Sequence, residues 1–187
     1  MKKVVEKTPT AVLAFLAFAL MASVLASCAG KKHVIGKNGL HAIKLGDDLP
    51  PPGTESLKGV PLRDTLFEDS SYTWRASIME YKEGTVYLEQ DFFGTEALNR
   101  IRIHTPELKL KNGLRVGKTV ADLKKVKAEW YISPLVEYNV FEFYTQVFPT
   151  FHFLVSAPGA DMSEQDWRKY SMDSFQDDAR IVAIVLF

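Results

Sequence analysis

The chain has 187 residues, 47% of them hydrophobic, with 23 basic and 23 acidic side chains. Balanced charge without a basic stripe lacks the electrostatic footprint of a nucleic-acid binder. A single cysteine rules out an internal disulfide, so stability must come from burial, for which this length suffices as one domain or two small lobes.

The first ten residues, MKKVVEKTPT, carry Lys2, Lys3 and Lys7, and an apolar run follows from Ala11 to Ala26. A basic head, an apolar centre and small residues before a cut site are the parts of a secretory signal peptide. As a transmembrane anchor the run is short, with 16 residues against about 20 needed to cross ~30 Å of hydrocarbon. It ends in LASC, Leu25 to Cys28, which holds the only cysteine. These four residues resemble the lipobox of bacterial lipoproteins: an aliphatic residue and two small ones before a modified Cys. The resemblance implies cleavage before Cys28, a diacylglycerol on its sulfur and acylation of the new amino terminus. Two or three acyl chains, at about 0.8 kcal/mol per buried methylene, make a lasting membrane tether. It also implies a place, because Ala29 is not the Asp that commonly retains such proteins at the inner membrane. The expected location is the outer membrane, with the domain facing the periplasm. Removing residues 1–27 takes away Lys2, Lys3, Lys7 and Glu6, leaving 160 residues with 20 basic and 22 acidic side chains.

After a tether spanning 28–38, residues 39–187 read as a globular α+β domain with two pseudo-repeats, about 39–110 and 111–187. IKLGDDL (43–49) matches LRVGKTV (114–120) in its apolar, basic, apolar, Gly order. Downstream, NRIRIHT (99–105) has a rough counterpart in ARIVAIV (179–185). Between these landmarks the first half carries the strand-like runs WRASIMEY and TVYLEQDF, joined by KEG at a hairpin turn. The second carries VFEFYTQVF and TFHFLVSA, joined at Pro149. IVAIVLF is apolar on both faces, the mark of a central strand. TVADLKKVKAEW predicts a helix over 119–130 capped by Thr119, and MSEQDWRKYSM a shorter one capped by Ser163. LPPPG breaks the matching helix in the first half. The expectation is two tandem-like units, each a Gly turn with an optional short helix packed on about three antiparallel strands. That pattern resembles small envelope lipoproteins of the outer-membrane assembly type, from which LPPPG departs.

Chemistry is sparse. His33, His41, His104 and His152 form no ligand motif, and no nucleophile motif such as GxSxG or SxxK occurs. The acidic residues between Asp161 and Asp178 lack the alternating ligands and central Gly of a calcium loop. No catalytic residue, metal or cofactor is expected, and the chain reads as a non-enzyme. Aromatic density between 130 and 153 is the outstanding feature, and Trp130, Tyr131, Tyr144 and Phe148 are the candidate interaction surface. Two functions follow, ahead of a hydrolase as the third: binding another envelope protein through that surface, or carrying or sensing a small apolar ligand or lipid in a cavity beneath Trp130 and Tyr131.

Overall fold

The structure, a computed structural model, describes residues 34–40, 43–69, 72–91, 95–162 and 169–187. The signal peptide, Cys28 and the helix expected from Ser163 lie wholly or mostly outside the described residues.

Alternating apolar side chains dominate the described unit, Val34–Phe187, and it is built mainly of strands. In chain order they are β1 (Ile35–Gly36), β2 (Gly39–Leu40), β3 (Ile43–Lys44), β4 (Ser56–Leu57), β5 (Val60–Asp69), β6 (Tyr72–Tyr81), β7 (Gly84–Gln90) and β8 (Leu98–Ile103). One short helix, α1 (Val120–Lys124), precedes β9 (Tyr131–Leu135), β10 (Val140–Tyr144), β11 (Phe151–Ser156) and β12 (Arg180–Leu186). Strands β1, β2 and β3 make a small antiparallel sheet. The other nine form one antiparallel sheet in the order β4-β5-β6-β7-β8-β12-β11-β10-β9.

Register explains why this sheet holds together. Leu62, Met79, Val86, Ile103, Ile184, Phe153, Phe143 and Ile132 are successive cross-strand partners, one from each of eight strands. All eight are buried, so a single apolar row crosses the sheet on its inner face. Leu40, Ile43, Leu108, Leu114, Val120, Leu123 and Phe175 join the same core from the small sheet and the connecting segments. β12 lies near the centre with its last four residues, Ala183–Leu186, buried on both faces, while Val182 is exposed.

The expected α+β class with two three-stranded units needs correction. Among the described residues the fold is mainly β, the α-helix is five residues long, and strands β4–β12, drawn from both halves, belong to one sheet. Thr119 does cap α1, its backbone N–H donating to Asp122 Oδ2 at 3.3 Å. The helix stops at Lys124 rather than reaching Trp130, because β9 begins at Tyr131 and residues 125–130 are needed to bring the chain to the sheet edge. β9 includes Pro134. It is an edge strand, where a missing N–H removes no ladder bond.

Each of the two glycine turns is tied to the large sheet by a reciprocal pair of backbone bonds. Gly46 donates its N–H to Leu98 O, and Leu98 donates back to Asp47 O, at 2.8 and 2.7 Å. Gly117 and Ile181 make the same exchange with Lys118 O, both bonds at 2.8 Å. A bulge interrupts β7–β8 after Glu89, and another interrupts β11–β12 after Leu154. These bonds align Leu98 with Ile181, three residues away from the match of NRIRIHT with ARIVAIV. Where α1 follows the second glycine turn, Pro50–Gly53 follows the first. Asp64 fixes that loop by accepting from Gly53 N at 2.8 Å, while Arg75 reaches both Asp64 and Pro50 O.

Candidate binding groove on the outer face of the sheet

Alternation that sends apolar residues inward sends a different set outward. On β6, β7 and β8 the outward residues include Trp74, Tyr87, Glu89, Arg100 and Arg102. Glu89 is fully buried there, a costly place for a carboxylate unless every lone pair is matched. It is matched: Arg100 donates through Nε at 3.1 Å and Nη2 at 2.5 Å, Trp74 donates its indole N–H at 3.3 Å, and Arg102 donates its Nε. The Arg102 guanidinium also lies 5.4 Å from the Phe67 ring centroid and 5.0 Å from that of Tyr87. His104 stands edge-on to Tyr87 at 5.5 Å, and burial first, then Arg102, lower its pKa from the usual histidine value.

Beside this cluster runs an open groove of about 500 Å³. Its floor is Trp74, Arg100, Arg102, Leu154, Val185 and Phe187. One wall is the β5–β6 hairpin, with Phe67, Glu68 and Asp69; the other is the β9–β10 hairpin, with Leu135, Glu137, Tyr138 and Glu142. Both walls carry exposed apolar side chains: Tyr72 at 57% on one hairpin, Val136 at 65% and Tyr138 at 68% on the other. The floor therefore holds two arginines, and four carboxylates rim the walls.

The four residues expected to form one surface are split between the faces. Tyr131 and Tyr144 point outward and stack at 5.2 Å, and the ladder continues from Tyr144 to His152 at 5.1 Å and on to Phe187 at 4.9 Å. His152 Nδ1 lies 2.8 Å from Glu142 Oε1, which orients that ring. Trp130 instead packs inward, edge-on to Phe153 at 5.8 Å, and its buried indole N–H meets no acceptor among the described residues. Phe148 also turns inward, 6.3 Å from Phe153. Phe153 fills the space beneath Trp130, and Tyr144 lies flat against Tyr131.

Glu89, Arg100, Arg102 and Trp74 escaped the sequence reading, and Tyr138 lay within its aromatic stretch without being singled out. The visible signal was the alternation of two arginines with apolar residues in NRIRIHT, opposite a lone Glu in TVYLEQDF. Among the described residues no three His, Cys, Asp or Glu side chains are placed to hold a metal ion, and no helix is long and apolar enough to cross a membrane.

The fold and groove define a class: a mainly-β domain of one long antiparallel sheet, covered on its inner face and grooved on its outer one. No protein-family model and no curated protein matches the chain. A solved structure shares the fold, that of the uncharacterised protein yfeY from Escherichia coli. It superposes with a TM-score of 0.52 at 12% identity, covering 83% of this chain and 96% of that one.

Proposed function

We propose that this protein is a lipid-anchored envelope lipoprotein whose domain binds another envelope protein without catalysis. On this reading Cys28 carries the acyl chains, the anchor is in the outer membrane and the domain faces the periplasm. The observation that carries the binding role is the groove. Tyr138 and Phe187, which line it, are 68% and 49% exposed, and Tyr72 and Val136 stand exposed on the same two hairpins. Large apolar groups grouped around a concavity and rimmed by charge are the usual composition of a protein contact. The related construction of the two halves supports reading the sheet as two copies of one meander. A carrier of an apolar ligand would need a closed chamber, whereas this groove is open along its length and rimmed by carboxylates.

The test is crosslinking in intact cells, followed by purification and mass spectrometry. A reproducible envelope partner, lost in Tyr138→Ser with Phe187→Ser, is the expected result. Recovery of the wild-type protein alone would sink the binding role. Cys28→Ser should move the protein to the soluble fraction, and continued membrane retention would refute the anchor.

A further inference from the structure

A second recess lies on the inner side of the sheet, away from the groove. It holds about 290 Å³ between the β1–β2 turn, the Leu110–Asn112 turn and the loop joining β10 to β11. Ile35, Val147, Phe148, Pro149 and Phe151 give it an apolar lining, and Val147 is 53% exposed at its mouth. Its charged residues are Lys37 and Lys111, both exposed; no carboxylate lines it, and among the described residues neither lysine is in an ion pair. Thr150 donates its hydroxyl to Lys37 O at 2.5 Å, fastening the two loops that form the recess.

Chain length decides what can reach it. Ile35 is seven residues beyond Cys28, so it stays within about 25 Å of an acylated sulfur whatever path the chain takes. Lys31 and Lys32 occupy that short link. We propose that this recess seats the domain on the anionic surface of the membrane that holds its acyl chains. Val147 enters the headgroup boundary at the mouth of the recess, and Lys37 and Lys111 meet lipid phosphates. Peripheral binding of this kind adds buried apolar area to attraction between cations and acidic lipid, and it weakens with salt. The division of charge favours the same orientation. Two lysines border the recess, while four carboxylates rim the groove on the sheet's other face, which is left free for a protein partner.

The proposal rests on acylation of Cys28, and the experiment separates the two. The purified full chain with Val147→Cys, labelled at that position with an environment-sensitive fluorophore, is reconstituted with vesicles. These contain either equal parts of phosphatidylglycerol and phosphatidylcholine, or phosphatidylcholine alone, each with a spin-labelled lipid as quencher. Flotation and the mass of the Cys28 peptide report the anchor; quenching reports the docked recess. The expected result is flotation in both, with strong quenching only on the acidic vesicles. Lys37→Gln and Lys111→Gln should each lower the ratio of docked to undocked protein by about fivefold. Flotation without quenching, or equal quenching on phosphatidylcholine alone, overturns the docking and leaves the anchor standing. Failure to float with an unmodified Cys28 overturns the anchor and the docking with it.

Discussion

Glu89 is fully buried and accepts a charge-assisted hydrogen bond from Arg102 on the neighbouring strand. Arg102 lies in the floor of the groove with Glu89 behind it, and Arg100 with Trp74 completes the set of donors. Removing the carboxylate leaves two guanidinium groups facing each other on a half-buried surface, where breaking such a pair costs about 3–5 kcal/mol. Glu89→Ala should lower stability by that amount in urea denaturation. Arg100→Met should cost less, because Arg102 and Trp74 still hold the carboxylate.

The apolar row across the inner face makes a second prediction. Phe153 is fully buried and packs between Ile184 and Phe143 on adjacent strands. Phe153→Ala should cost about 3–5 kcal/mol by transfer and cavity formation. Tyr138→Ser, at an exposed groove position, should change the denaturation midpoint little while removing partner recovery.

Two glycines separate conformational strain from collision. Gly84 has φ +144°, and a Cβ there would come within 2.4 Å of His104 O. Gly117 has φ +86° with open space around it. Gly117→Ala should cost about 1–2 kcal/mol from backbone strain alone. Gly84→Ala must in addition force β7 away from the segment after β8, and its loss in thermal melting should be clearly the larger.

Acid should act on the fold in two windows. His104 has a folded pKa below its ordinary 6.5, chiefly through burial. The unfolded chain therefore takes up the proton first, and stability falls as pH drops below that value. Asp122 is held at about 2 instead of 3.8, first by its hydrogen bond from Lys125. Its contribution is present above the unfolded value and is lost as pH falls from about 3.8 towards 2. Urea midpoints measured against pH should show a flatter upper limb in His104→Gln and a flatter lower limb in Asp122→Asn.

Strands with strict alternation were legible in the sequence, and so were the two glycine turns and the capped start of α1. The central place of β12 was legible as well, because apolar residues on both faces leave few other positions for a strand. β5 was hidden by its charges: Arg63, Asp64, Glu68 and Asp69 suit a strand near the sheet edge but mask its period. β9 was hidden by Pro134, which an edge tolerates and local propensity does not. The groove could not be read, since Glu89 meets Arg100 and Arg102 only through the register of β7 on β8. The aromatic candidates were correctly judged dense but not sorted by face, because the turn at Thr145–Phe148 ends the alternation before Phe148.

The strand at the middle of the sheet is also the one synthesised after the other eight. Until β12 is available, β4–β8 and β9–β11 are separate meanders, each with an unsatisfied edge where the partner strand will sit. Pairing Ile103 with Ile184 then closes a loop of roughly eighty residues, a slow step by topology. Assembly thus waits on the chain's late arrival at its own centre. A polypeptide threaded through a membrane in extended form would complete this sheet only on the far side, after its keystone had crossed.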